Sequence, residues 1–232
     1  MLKKSIFLIC IVVAAAILML APAMGLVEQE EKSETVPETE TTRETTVPPE
    51  TLPPLPDSVL YYGEIRSIRQ DTQGKPAALY MNSQRDGEYI MNLGESTAYI
   101  DSGERKNFDP AAMEVGQRYY VFHSPVQAMS LPPQSPAFAV VGNIPMDASC
   151  AMYHEVEKLE EVDEKLRITT ENGTMILELD ETSEIFSYEG QKLDASAVKE
   201  GDFIMAWYWN RGEKILRCSH IMVLPESENG EN

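Results

Sequence analysis

From Val59 onward the apolar positions recur every second residue rather than every third or fourth. That is the period of a half-buried strand, not of a helix. Met175, Leu177 and Leu179 alternate with Ile176, Glu178 and Asp180, and Asn172-Gly173 ahead of them forms a hairpin turn. Gln73-Gly74 and Asp86-Gly87 punctuate the earlier part of the chain in the same way. One short pattern departs from the period of two. Asp-x-x-x-(Met/Val)-x-x-Gly reads as a single helical turn, capped by Asp109 or Asp194 and ended by its glycine.

The whole pattern occurs twice, which is the mark of an internal repeat. Tyr62-Gly63-Glu64-Ile65 corresponds to Tyr153-His154-Glu155-Val156, and Leu93-Gly94-Glu95 to Leu179-Asp180-Glu181. The segment from Phe108 to Gln117 corresponds to that from Leu193 to Asp202. Each copy then runs into an aromatic strand (Tyr119 to Phe122, Phe203 to Trp209) and an apolar strand ending at Pro145 or Pro225. Five short strands and one helical turn in about 80 residues predict a small closed or half-closed barrel near the OB type. The expected fold class is therefore all-β, with tandem OB-like β-barrels over residues 59–145 and 146–232.

The remainder of the chain is organised differently. Lys3 and Lys4 precede an unbroken apolar run from Ile6 to Leu20, and small residues follow, with cleavage expected after Ala23 or Gly25. Residues 1–25 thus read as a signal peptide, or as a signal anchor if uncut, since no charge falls between Ser5 and Val27. Either way the body lies outside the cytoplasm, secreted or on the cell surface. Residues 26–58 are rich in Glu, Thr and Pro and poor in large apolar side chains, so they read as a disordered acidic stalk.

The 232 residues carry a formal net charge of −19 and a pI near 4.5. This balance argues against nucleic acid and against an anionic membrane surface as partners. The membrane enters only through the N-terminal segment, if uncleaved. With the leader removed, Cys150 and Cys218 remain, which in an exported chain permits one disulfide or two buried free thiols. With His154 and His220 they also form an alternative Cys₂His₂ constellation, although the spacing is not the Cys-x₂-Cys of common zinc sites. No metal and no cofactor are expected. Nor is an enzyme. His123-Ser124 has no third group to orient it, the carboxylates show no paired spacing, and no phosphate-binding glycine motif occurs. Alternation places Trp207 and Trp209 on one face and Tyr208 on the other, so stacking on sugar rings competes with core packing.

One stretch belongs to neither period. From His123 to Pro136 the chain holds four prolines, which fix φ and remove backbone donors, so the segment is expected to be stiff, extended and exposed. In the second copy the corresponding hairpin turns tightly through Asn210-Arg211-Gly212-Glu213. In the first it is lengthened, and an extension at a hairpin tip is where binding functions concentrate.

Two resemblances bear on these segments. Over residues 59–225, with Gly63-Glu64-Ile65 and the Val198-Lys199-Glu200-Gly201-Asp202 turn, each unit resembles the small OB-like domains of unknown function found in exported bacterial proteins. That resemblance implies fold and export, and no chemistry. Ala128-Met129-Ser130-Leu131-Pro132-Pro133-Gln134 resembles the reactive loop of the Bowman–Birk serine protease inhibitors, Thr-x-Ser-x-Pro-Pro-Gln. It implies that Met129 is the primary specificity residue, that Ser130 follows the scissile bond and that Pro132 is cis. Methionine suits the apolar pocket of a chymotrypsin-, elastase- or subtilisin-like enzyme rather than trypsin's. The disulfide that brackets the plant loop is replaced by Gln127 and Ser135, and its threonine by Ala128. The barrel strands must then supply the clamp. The expected function is inhibition of an apolar-specific serine protease, with an adhesion, scaffold or glycan-binding module as the alternative. The expected partners are a serine protease, another surface protein or a glycan.

Overall fold

The computed structural model describes residues 54–209 and 212–225. The leader, most of the stalk and the hairpin residues Asn210 and Arg211 lie outside the described residues. The alternating segments resolve into strands throughout. In the first copy these are β1 (Val59–Gln70), β2 (Pro76–Ser83), β3 (Gly87–Asp101), β4 (Lys106–Asn107), β5 (Arg118–His123) and β6 (Gln134–Gly142). Antiparallel pairs β1–β2, β2–β3, β5–β6 and β1–β5, with a parallel β3–β6 pair, close these into a five-stranded barrel with β4 appended to β3. Closure leaves its five strands without a free edge. β1 and β3, at 12 and 15 residues, are longer than the short strands expected. The first half of β1 pairs with β5 and its second half with β2, and a register shift between Ile65 and Ser67 makes the bend.

The second copy contains β7 (Ala151–Glu155), β8 (Lys158–Val162), β9 (Lys165–Thr170), β10 (Met175–Leu179), β11 (Glu184–Ser187), β12 (Lys192–Leu193), β13 (Phe203–Tyr208) and β14 (Ile215–Val223). Its sheet follows the same course with two strands interrupted. β7 and β8 together take the place of β1, and β10 and β11, both parallel to β14, take the place of β3.

Hydrogen bonds outside the ladders repeat from one copy to the other. Ile65 N donates to Gln117 O (2.9 Å) and Gly116 N to Ile65 O (2.9 Å); Val156 N donates to Asp202 O (2.9 Å) and Gly201 N to Val156 O (2.8 Å). Where β3 is pinched and where β10 breaks from β11, the same device holds the chain. Gly94 N donates to Thr97 Oγ1 and Asp180 N to Ser183 Oγ, and those hydroxyls donate to Ala137 O and Cys218 O. The predicted helical turn is a 3₁₀ turn in both copies, at Pro110–Ala112 and Ala195–Ala197. Asp109 caps the first by accepting from Ala111 N, whereas Asp194 makes no side-chain cap. Gly116 and Gly201 follow at φ 91° and 90°, a left-handed conformation that only glycine adopts without strain.

Each sheet encloses its own core, one around Ile65, Leu79, Met91 and Val121 and the other around Ile168, Leu177, Ile204 and Leu216. A third cluster joins the two, packing Ile100, Phe122 and Val141 of the first copy against Tyr153, Met205, Trp207 and Met222 of the second. Trp207 is only 1% exposed and donates from Nε1 to Ser102 O (2.9 Å). Both faces of the β13 aromatic run are therefore buried as far as Tyr208, a register shift falling between Trp207 and Tyr208, and only Trp209 stays exposed.

Candidate functional site

The loop between β5 and β6 is built by the strands that hold it. Val141, Ala139, Ala137 and Ser135 of β6 are all nearly inaccessible, Ala137 in the core of the first copy and Ala139 and Val141 in the cluster between the copies. The last of them, Ser135, is 1% exposed, and its hydroxyl lies 2.9 Å from Ser124 O and 3.3 Å from Val126 O. It ties the outgoing limb of the loop to the returning one. Ser124 N donates to Pro136 O (3.0 Å), and His123 Nδ1 donates to Ser124 O (2.9 Å). His123 is buried against Tyr89, and that burial holds its imidazole below the usual range. Ile90 N of β3 donates to Pro133 O (2.9 Å), anchoring the returning limb to the barrel.

Above this base the segment is not extended throughout. It folds back on itself, and Ala128 pairs with Gln134 in an isolated antiparallel bridge, with Ala128 N donating to Gln134 O at 2.8 Å. The reason is local. Ser130 N donates to Ala128 O (2.9 Å) around Met129, Ser130 Oγ donates to Pro132 O (2.7 Å), and the Leu131–Pro132 peptide is cis. These close a seven-residue loop, Ala128 to Gln134, with two side chains thrown outward: Met129 and Leu131 are 103% and 100% exposed. Val126 on the approach is also exposed. No charged residue occurs between His123 and Phe138, so the presented surface is neutral and apolar.

The seven residues singled out in the sequence, Ala128, Met129, Ser130, Leu131, Pro132, Pro133 and Gln134, thus form one closed loop. Pro133 takes the barrel's donor, and Pro132 is the residue of the cis bond. Hydrogen bonds from Ser135 and Ile90 tie the limbs of the loop to one another and to the barrel. In the sequence Ser135 stands out only as occupying the position of a plant-loop cysteine. Alternation does not single it out, because β6 is buried on both faces, with Val140 in the first core and Ala139 and Val141 in the cluster between the copies. The second copy's hairpin is wider than expected. β13 and β14 first pair at Tyr208 and Cys218, so nine residues (209–217) separate them, against thirteen (124–136) in the first copy.

Cys150 and Cys218 are free thiols rather than a disulfide. They sit in different surroundings: Cys150 Sγ lies 3.4 Å from Ser102 Oγ at the junction of the two copies, and Cys218 Sγ lies 3.0 Å from His220 O within the second. Burial raises both thiols, that of Cys218 to about 12. The two histidines turn elsewhere. His154 bridges Tyr208 OH (2.8 Å) and Glu171 (2.9 Å), and His220 Nε2 lies 2.7 Å from Arg105 and 2.9 Å from Glu184. The four side chains do not converge, and among the described residues no group of three His, Cys, Asp or Glu is arranged to hold a metal.

No protein-family model matches the chain, and no curated protein matches it. Among solved structures, one similar chain is a multidomain protein with nucleic acid binding domains from Streptococcus pneumoniae TIGR4. It is 11% identical, the match covers 72% of this chain and 52% of that one, and the TM-score is 0.20. This chain thus matches only about half the length of that protein. A second is a murine DNA binding protein bound with double-stranded DNA, 9% identical, covering 73% of this chain and 100% of that one at a TM-score of 0.24. These descriptions correct the partner set read from the sequence, which excluded nucleic acid: both matched structures are nucleic-acid-binding, and neither is described as binding a protease or a glycan. The exclusion rested on a whole-chain sum. Residues 59–145 hold seven basic and nine acidic side chains and are close to neutral, while residues 146–225 hold eight and seventeen. At such TM-scores the likenesses carry no argument about what this chain binds.

Proposed function

We propose that this chain is an exported, non-enzymatic inhibitor of an apolar-specific serine endopeptidase, acting through the Met129–Ser130 bond. The observation that carries the reading is the closed seven-residue loop, in which a backbone bridge and the Ser130–Pro132 hydrogen bond stand where the Bowman–Birk pattern uses a disulfide and a threonine. Met129 and Leu131 meanwhile remain fully in solvent on either side of Ser130. The likeness of the barrels to OB-like domains of exported bacterial proteins belongs to the same proposal.

The physics runs from stiffness to inhibition. A loop that is already ordered loses little entropy when it lies along a protease cleft as an added strand. The enzyme's serine attacks the Met129 carbonyl, and the bond to Ser130 N breaks. The freed Ser130 amine stays tethered, because Ser130 Oγ is bonded to Pro132 O and the returning limb is fixed through Gln134, Ser135 and Pro133. That amine attacks the acyl-enzyme before water does, and the peptide re-forms. A flexible Met129 side chain fills an apolar primary pocket.

The test is inhibition of chymotrypsin, elastase, subtilisin and trypsin, read with small chromogenic substrates. The proposal expects saturable inhibition of at least one of the first three, lost in Met129→Gly. Absence of inhibition across the panel, with the loop cut rapidly, would reject it and leave a scaffold role for the loop.

A further inference from the structure

Mild oxidants turn methionine from an apolar side chain into a polar one, and they do so where they can reach the sulfur. Access divides the methionines of this chain sharply. Met81, Met91, Met113, Met205 and Met222 are at most 5% exposed, and Met152 and Met175 are half-buried against the core of the second copy. Met129 and Met146 stand apart at 103% and 102% exposed. They lie beyond opposite ends of β6: Met129 in the loop that enters the strand at Gln134, Met146 in the connection that leaves it at Gly142. Of the two, only Met129 belongs to the surface presented to a protease. Burial raises both cysteine thiols, which makes them poor competitors for an oxidant.

The loop does not depend on the Met129 side chain for its shape. It is closed by Ser130 N on Ala128 O, by Ser130 Oγ on Pro132 O and by the bridge between Ala128 and Gln134. A change at the Met129 sulfur therefore leaves the backbone as it stands and alters one property, the polarity of the group held out to solvent.

We infer that Met129 is an oxidation switch on the inhibitory loop: a peroxide converts its thioether to the sulfoxide, and the loop then no longer suits an apolar primary pocket. This inference rests on the protease reading. A lone pair of the sulfur attacks one oxygen of hydrogen peroxide, an S–O bond forms as the O–O bond breaks, and after a proton shift water leaves. The sulfur gives up two electrons and the peroxide takes them. The new oxygen is a strong acceptor. A pocket lined by apolar groups offers it no donor, and an unpaired polar group buried there weakens binding about tenfold to a hundredfold. The change is reversible. A dithiol, acting through the two epimer-specific methionine sulfoxide reductases, returns the thioether and releases water and a disulfide.

The test treats the full chain with a graded excess of hydrogen peroxide. Each methionine is then quantified by peptide mapping, and the inhibition constant is measured on the same samples against the enzyme that untreated chain inhibits. Sulfoxide is expected at Met129 and Met146 well before the buried methionines. Inhibition should weaken about tenfold to a hundredfold in step with Met129, with the thermal midpoint unchanged. Met146→Leu should lose inhibition on treatment as the natural chain does, and Met129→Leu should keep after treatment whatever inhibition constant it had before. Both reductases with dithiothreitol should restore the natural chain. Inhibition undiminished with Met129 fully oxidised, or Met129 oxidising no faster than Met205, would overturn the switch while leaving the protease reading in place. Failure of the untreated chain to inhibit any of the enzymes would reject the protease reading, and the switch with it.

Discussion

Replacing Ser135 by alanine removes the hydroxyl that joins the two limbs of the loop. That hydroxyl is buried, has one proton to give, and lies 2.9 Å from Ser124 O and 3.3 Å from Val126 O. Ser124 O keeps the proton of His123 Nδ1 at 2.9 Å. Val126 O is then left without the contact it had. One lost hydrogen bond and one poorly satisfied carbonyl amount to about 1–2 kcal/mol. The cost falls on the loop rather than the barrel, because Ser124 N to Pro136 O and Ile90 N to Pro133 O are untouched. The population of opened loop should therefore rise by a factor of about 5–30.

Two readouts follow for Ser135→Ala. The inhibition constant against the enzyme that the natural chain inhibits should weaken by up to that factor. The rate at which that enzyme cleaves Met129–Ser130, followed by intact mass, should rise, because the freed Ser130 amine is held less well. The thermal midpoint should fall by only a few degrees, since about 1 kcal/mol shifts a chain of this size by about 2–4 °C. A variant as potent and as resistant to cleavage as the natural chain would refute the clamp. So would a midpoint collapse far beyond that range, which would show that Ser135 holds the barrel and not the loop.

Other perturbations reach different parts of the account. Met129→Arg should transfer inhibition from an apolar-specific enzyme to trypsin, whose pocket prefers a cation, with the thermal midpoint unchanged because Met129 is fully exposed; inhibition constants for both enzymes check it. Trp207→Ala should cost about 3–5 kcal/mol in denaturant unfolding, since it opens the shared core and orphans Ser102 O, and the natural chain should unfold in one transition. Gly63→Ala should destabilise by about 1–3 kcal/mol, because a Cβ there meets Tyr61 Cε1 at 2.5 Å and Asn82 O at 2.9 Å. Asp57→Asn should raise the thermal midpoint at neutral pH. The folded carboxyl is raised above its ordinary 3.8, mainly by burial and then by Glu171 and Glu157 and against Glu155 N–H and His154, so its ionised form disfavours the fold as pH climbs through the folded value. The benefit should disappear below pH 3.8, where the carboxyl is protonated folded or unfolded; melting curves across that range read it.

Much of this architecture was legible because it rests on periods and turn chemistry. The alternation of Met175, Leu177 and Leu179, the Asn172-Gly173 and Asp86-Gly87 turns and the paired Asp-to-Gly segments all carry local signals, and the strands and 3₁₀ turns lie where those signals put them. The repeat was legible for the same reason, down to Ile65 and Val156 making equivalent hydrogen bonds. Contacts between the copies were not. Nothing local to Trp207 announces that Ser102, more than a hundred residues earlier, accepts its proton, and nothing in the spacing of Cys150 and Cys218 tells that they enter different surroundings. The loop's bridge was half-legible. Its prolines implied stiffness, but the fold-back depends on hydrogen bonds of Ala128, Ser130 and Gln134 that composition does not rank. The Asp57 oxygen, without a partner among the described residues, had no signal at all, since Asp57 sits at the end of a stretch that reads as stalk.

The most direct test of the loop reading concerns one covalent bond. The chain is incubated with a catalytic amount of the enzyme it inhibits, and Met129–Ser130 is followed by mass spectrometry from both directions, starting from intact chain and from chain already cut there. The account predicts slow cleavage that stops at a mixture of intact and cut loop, with the same mixture reached by re-formation of the bond from the cut side. Cleavage that runs to completion, with no bond re-formed, would contradict it.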